Sequence, residues 1–257
     1  MNAASRLPRF RPAPRGGVPE CFIANAKPGQ DVLVAVHGIS RNAAEIAMRF
    51  AAHPAFAQTT IIAPLFCKDD YGQYQQLAAA KPGQTPADIA LIALLEDLAG
   101  ELGGVPDRFR LFGFSGGAQM AHRFAMRHPA RVARICVVSA GWYCLPRTDL
   151  PWPYGIGDGT GAAMIGPQFL DIPLTVIVGN RDTRVDGSVR QDPLIVEHQG
   201  RNRLRRARSY VRAVRDYAAS LDKTVAPQLL TLPDMSHDFT QCVNDGDLIE
   251  IVAQNLL

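Results

Sequence analysis

Leu111-Phe112-Gly113-Phe114-Ser115-Gly116-Gly117 decides the reading of this 257-residue chain. An apolar run of strand length ends abruptly in a serine flanked by glycines, and a helical pattern begins at once. This is the G-x-S-x-G arrangement, a tight strand-to-helix turn that holds a serine hydroxyl up at the edge of a sheet. Gly113 and Gly117 suit a turn with no room for side chains beside the neighbouring strand and helix. Gly116 presents a bare backbone N–H next to the hydroxyl. By itself the motif also fits a glycine-rich βα turn with an idle serine, so the surrounding chain has to decide.

Outward from this turn, short β-rich runs alternate with helical patterns, which predicts a mostly parallel sheet covered by helices on both faces. The expected strands are Asp31–Val36, Thr59–Ala63, Phe109–Gly113, Val132–Ser139, Leu174–Val178 and Gln228–Leu232, each a nearly continuous apolar run. Residues 20–27 are a candidate edge strand. Helices are expected over Ala43–Ala52, Pro86–Leu102, Gly116–Arg127, Arg203–Leu221 and Phe239–Leu257. There is no internal repeat and no second-domain boundary. The expected organisation is a flexible or surface-draped arm over residues 1–19 and one domain over residues 20–257.

A serine hydroxyl is a weak nucleophile unless a base takes its proton and a third group orients that base. When the partners follow in the order serine, acid, histidine, each belongs on a loop just after a strand. After Leu174–Val178 comes Gly179-Asn180-Arg181-Asp182, and after Gln228–Leu232 comes Pro233-Asp234-Met235-Ser236-His237. Ser115, Asp182 and His237 are therefore the candidate catalytic residues. Asp182 is preferred over Asp186 and Asp149 because it is closest to its strand end. Gly116 supplies one candidate oxyanion N–H, and the loop His37-Gly38-Ile39-Ser40 after Asp31–Val36 supplies the other. Ile39 is the preferred donor there, with Ser40 its neighbour or substitute, and His37 is read as a brace for the loop.

The ordered set His37-Gly38, Gly113-Phe114-Ser115-Gly116-Gly117, Asp182 and Ser236-His237-Asp238-Phe239 resembles an α/β-hydrolase over roughly residues 30–257. His-Gly-Ile-Ser-Arg-Asn and Gly-Phe-Ser-Gly-Gly-Ala-Gln are similar to the small serine esterases related to polyhydroxybutyrate depolymerases and feruloyl esterases. The resemblance implies an α/β-hydrolase fold and ester hydrolysis through an acyl-enzyme, with no cofactor and no metal. The chain ahead of residue 20 is short for the antiparallel strands that open that fold, so a reduced edge is expected.

About thirty residues rich in glycine, proline and aromatics follow the strand ending near Ser139, and both tryptophans of the chain fall here. So long a loop inside a compact domain suggests function, and a short lid is expected over residues 142–171. Trp142 and Tyr143, emerging beside the serine, are candidate substrate contacts, as are Ser40 and, from the loop after Thr59–Ala63, Asp70 and Tyr71. Gly157–Ala162 faintly echoes a dinucleotide turn, but it follows no strand. His128, before Pro129, suits a helix end. His53 and His198 read as surface residues.

Composition narrows the partners. With 47% hydrophobic and 20% charged residues and a net charge of +3, the chain has the balance of an ordinary globule. Seven arginines between Arg201 and Arg215 flank an apolar stripe, Leu204, Ala207, Val211, Val214, Ala218 and Leu221, and read as a solvated helix face. No apolar run approaches the length of a membrane span. Five scattered cysteines without a CxxC pair, and an arginine- and proline-rich start without an apolar signal segment, point to a cytoplasmic chain with reduced thiols. The expected partner is a small-molecule ester, with neither nucleic acid nor membrane. The alternatives are a serine peptidase or amidase using the same residues, and a non-catalytic scaffold that binds a ligand or partner. A polyanion-binding arginine helix is a more distant third.

Overall fold

A computed structural model describes residues 7–79, 81–157 and 165–257 of the chain. Most of the run Gly157–Ala162, and part of the expected lid, lie outside the described residues. Strands β1 (Arg9–Arg11), β2 (Glu20–Ala24), β3 (Asp31–Val36), β4 (Thr59–Leu65), β5 (Phe109–Phe114), β6 (Val132–Val138), β7 (Leu174–Gly179) and β8 (Gln228–Leu232) form one sheet. Their spatial order is β1-β2-β4-β3-β5-β6-β7-β8. Strands β3 to β8 pair in parallel, whereas β1 and β2 are antiparallel additions at one edge. The edge expected to be reduced is therefore complete, because residues 9–11 pair with Cys21–Ile23.

Alternation along each strand builds two cores. Val32, Val34 and Val36 face one side with helices α2 (Ala87–Leu102), α3 (Gly116–Arg127) and α5 (Arg203–Ala219). Leu33 and Ala35 face the other with α1 (Ala43–Ala52), α6 (Phe239–Asn244) and α7 (Leu248–Leu256). The single helix expected over Phe239–Leu257 is thus two. The break comes at Asp245-Gly246-Asp247, where Asp247 takes φ +49° and a Cβ on Gly246 would meet Met235 at 2.8 Å. A short helix α4 (Pro193–Gln199), capped by the Asp192 carboxylate on the Leu194 N–H, had no counterpart in the sequence pattern. The strand order reverses between β3 and β5, and in open α/β sheets the crevice at the carboxyl ends beside that reversal is where ligands bind. Among the described residues no helix is long and apolar enough to cross a membrane.

The arm lies along α2. Arg9 and Arg11 pair with Glu101, and Arg11 and Arg15 with Asp97. Hydrogen bonds from Arg11 and Arg15 hold Asp97 below the usual carboxylate range, and those from Arg11 and Arg9 do the same for Glu101. Carboxylates depressed by folding add stability above their ordinary values and lose it as pH falls through their folded ones. The arm is therefore expected to stay attached at neutral pH and to begin loosening only as pH falls below the ordinary carboxylate values, about 4. Amide NMR signals of residues 9–11 that leave their folded positions already above about pH 5 would contradict this.

Candidate active site

The turn after β5 is forced by its glycines. A Cβ on Gly113 would lie 2.3 Å from the Gly117 carbonyl oxygen, and one on Gly117 would lie 2.1 Å from that of Val36. Strand, turn and α3 are therefore in backbone contact, and Ser115 between them takes φ +54° and ψ −112°. A non-glycine residue held there stores on the order of 1–3 kcal/mol of strain, an arrangement found where a side chain must be presented. The Ser115 N–H donates to the Val138 carbonyl at 2.8 Å, which ties the turn to β6.

The carboxyl ends of β5, β7 and β8 bring Ser115, Asp182 and His237 together. The Ser115 hydroxyl lies 3.0 Å from His237 Nε2, and His237 Nδ1 lies 2.9 Å from Asp182 Oδ2. A carboxylate only accepts, so Nδ1 carries the imidazole proton and Nε2 is free to accept from the serine. Asp182 is 1% exposed, while a quarter of the His237 side chain reaches solvent. The imidazole stacks on the Phe114 ring at 5.4 Å, and Phe239 meets the same ring edge-on. Sequence reasoning passed over both phenylalanines. Phe114 is the variable residue inside the G-x-S-x-G run, and Phe239 comes two after the histidine.

The other acids lie elsewhere. Asp186 accepts from the Ser188 hydroxyl and N–H at 2.6 and 2.9 Å, and Asp149 pairs with Arg147 at an exposed site.

The loop after β3 closes against the turn. A Cβ on Gly38 would be 3.5 Å from that of Ser115, and one on Gly116 would be 3.1 Å from Ile39 Cγ2 and 2.5 Å from the Tyr74 hydroxyl. Beneath this loop His37 is fully buried. It accepts the Phe66 N–H at Nε2 (2.9 Å) and donates from Nδ1 to the Gly38 carbonyl (2.7 Å), and burial lowers its pKa to about 4. The ring is therefore a neutral brace across neutral pH. Arg41, itself at φ +56°, adds a second tie by donating to the carbonyls of Ile39 at 3.0 Å and Phe66 at 2.9 Å.

A cleft of about 370 Å³ opens over Ser115 and His237. Ile39, Phe114 and Phe239 give it apolar walls, and Ser40, Asn42 and Thr240 a polar rim. A second hollow, of about 390 Å³, adjoins the far side of His237 and is lined by Arg181, Arg184 and Arg203 among others. Among the described residues no group of three or more histidine, cysteine, aspartate or glutamate side chains is disposed to hold a metal.

Of the expected substrate contacts, Ser40 lines the cleft. Trp142 and Tyr143 do not, and that expectation is corrected. Trp142 lies 4% exposed between the guanidinium groups of Arg123 and Arg190, 4.1 and 5.7 Å from its ring. Tyr143 is fully buried and stacked on Tyr210 at 4.4 Å, and its backbone exchanges two 2.8 Å hydrogen bonds with the Gln199 amide. Asp70 and Tyr71 are corrected likewise. Neither lines the cleft: Tyr71 packs edge-on against Phe66, and Asp70 accepts from the Cys67 thiol. The segment expected as a lid folds back through bridges Leu145 to Gly155 and Pro151 to Gly157, and none of its described residues lines the cleft.

The arginine helix departs from its expected solvated face. Arg206 is fully buried and donates to the carbonyls of Gly141, Gly200 and Arg190, with its pKa lowered to about 10 by desolvation. Arg203 is buried against Asp182. The signal was in the spacing, because Arg203 stands four residues before Ala207 and eleven before Val214, on the apolar stripe itself.

No family model matches the chain, and neither does any curated protein. Solved structures do. Poly(aspartic acid) hydrolase-1 from Sphingomonas sp. KT-1 superposes with a TM-score of 0.80 at 22% identity, covering 97% of each chain. LpqC, a poly(3-hydroxybutyrate) depolymerase from Bordetella parapertussis, gives 0.75 at 23% identity over 91% of this chain and 84% of its own. A ferulic acid esterase gives 0.54 at 13% over 92% and 89%. At such identities the shared property is architecture. The chain has the α/β-hydrolase fold, with the mixed sheet and the structural neighbours that its sequence motifs resemble.

Proposed function

We propose that the protein is a serine hydrolase that cleaves a carboxylic ester of a small or medium acyl substrate through an acyl-enzyme. One observation carries the reading, the unbroken hydrogen-bond chain from the Ser115 hydroxyl through His237 to the buried Asp182. Ser115 Oγ attacks the ester carbonyl carbon while His237 Nε2 takes its proton. The proton then passes to the departing alkoxide, which leaves as the alcohol. Water, deprotonated by the same imidazole, releases the acid and restores Ser115. Asp182 keeps the imidazole in the required tautomer and stabilises its charged form. The N–H groups of Gly116 and Ile39 receive the oxyanion, with His37 and Arg41 holding the second of these in place. This chemistry calls for no metal or organic cofactor.

A cleft of about 370 Å³ with apolar walls supports a compact acyl group. The five free cysteines, four of them buried, support a cytoplasmic setting, and the substrate we propose is a free small molecule rather than nucleic acid or a membrane. Amide cleavage by the same residues is the second reading. It is favoured by the 97% overlap with a solved poly(aspartic acid) hydrolase.

A fluorophosphonate probe is expected to label the wild-type protein at Ser115, and turnover of graded acyl esters is expected to fall as the acyl chain outgrows the cleft. Absence of labelling would refute the serine-hydrolase reading. A preference for amides over matched esters would replace the first reading by the second.

A further inference from the structure

Arg203 opens α5, a helix whose first turn holds arginines and no acid, so local preference at the positive end of the helix dipole opposes it. Its side chain is also only 4% exposed. Residues that break local rules in this way are expected where a site requires them. What Arg203 meets is the acid of the hydrogen-bond chain. Its Nη1 donates to Asp182 Oδ1 at 3.3 Å, while Oδ2 of the same carboxylate accepts from His237. The two oxygens of one buried carboxylate are divided between a guanidinium and the imidazole. The other branch, Nη2, donates to Ser188 Oγ at 3.0 Å, and Asp186 fixes Ser188 in turn. Leu204 N–H donates to the Asp182 carbonyl at 3.3 Å, so the helix start and the acid are locked together.

We infer that Arg203 is a positioning residue for the reaction proposed above, holding the Asp182 carboxylate toward His237 and limiting how strongly that carboxylate favours a protonated imidazole. The inference rests on that reading for its kinetic consequence. A cation on Oδ1 offsets part of the negative charge that the imidazole experiences, and burial weakens the screening of that effect. The same contact keeps Oδ2 turned to His237 Nδ1, which leaves Nε2 facing the Ser115 hydroxyl.

Other charged groups line the two hollows around the pair. Arg181, Arg184 and Asp186 share the adjoining hollow, and Arg181 is paired with Asp234. Asp238 and Glu45 border the cleft. Tyr143 and Cys242 remain protonated, the thiol pushed up to about 11 by burial. On α5, Arg206 is committed to backbone carbonyls and Arg205 is exposed.

The test follows kcat/KM against pH, and separately the His237 titration by nitrogen-15 NMR without substrate, in wild type, Arg203→Gln and Arg203→Lys. Arg203→Gln is expected to move the acid limb and the NMR midpoint upward by about half to one pH unit and to lower kcat about tenfold. Arg203→Lys should return the midpoint to the wild-type value and recover part of kcat, because lysine keeps the charge but not the fork. A folded Arg203→Gln whose midpoint does not move overturns the inference, as does an Arg203→Lys no closer to wild type than Arg203→Gln. If Arg203→Gln does not fold, Ser188→Ala frees the second branch of the guanidinium. It should lower kcat several-fold at unchanged KM, and an unchanged kcat would overturn the inference. The NMR titration needs no turnover, so a protein that hydrolysed nothing would refute the proposed function while the effect of the Arg203 charge was still read.

Discussion

Replacing Ser115 by alanine is expected to lower kcat/KM for esters by about 10⁴-fold or more and to abolish fluorophosphonate labelling, with the fold intact. The hydroxyl lies 3.0 Å from His237 Nε2, placed to pass its proton to the imidazole. Removing it leaves the Gly116 and Ile39 N–H groups and the cleft walls in place, so residual catalysis above water is expected rather than none. Stability should change little, because the lost interaction is one hydrogen bond to a partly exposed histidine, worth on the order of 1 kcal/mol. Ser115→Gly should be as inactive, and any stability gain from relieving φ +54° would show that the strain serves presentation of the hydroxyl. His237→Ala should cost nearly as much as Ser115→Ala, and the double variant no more than either, since groups acting as a unit are grossly non-additive. Single losses that multiply in the double variant would mean that Ser115 and His237 do not act together.

The framework and the linked residues Ser115, Asp182 and His237 were legible in the sequence for a common physical reason. Strands such as β5 and β7, buried on both faces, read as nearly unbroken apolar runs, the half-buried edge strand β8 still shows its leucines, and a parallel sheet puts the loop after each run at the same edge. Once β5, β7 and β8 were located, the side chains just beyond them had to converge. What stayed illegible depended on partners distant in sequence. Trp142 and Tyr143 looked like pocket aromatics because nothing nearby discloses Arg123, Arg190, Gln199 and Tyr210, which enclose them. Arg203 and Arg206 looked solvated because arginine usually is, although the period of the helix put Arg203 on its buried stripe. Of the antiparallel edge, β2 falls within the candidate edge strand over residues 20–27, whereas β1 was missed because it is three residues long and arginine-rich, held as much by Asp97 and Glu101 as by its ladder.

The largest structural effect is expected at Gly117, a position that does not line the cleft. Gly117→Ala would put a Cβ 2.1 Å from the Val36 carbonyl oxygen and 2.6 Å from that of His37. Real Cβ contacts do not approach so closely, and both obstacles are backbone atoms of β3 and its following loop, so no rotamer change relieves the clash. Either α3 moves away from β3, or the loop carrying Gly38 and Ile39 is displaced. The first opens the core that Ala118 and Ala121 form against Val34 and Val36, and the second dismantles the cleft wall opposite His237. Strain of this kind at a packed site belongs to the class of substitutions costing about 4 kcal/mol or more, which is a large share of the total stability of a domain. Gly117→Ala is therefore expected to be largely unfolded or insoluble, with any folded fraction inactive. Gly187→Ala, where nothing lies within 4 Å of the added carbon, should be indistinguishable from wild type in thermal unfolding. A Gly117→Ala protein that melts within a few degrees of wild type would mean that strand and helix are not in the backbone contact on which the presentation of Ser115 depends.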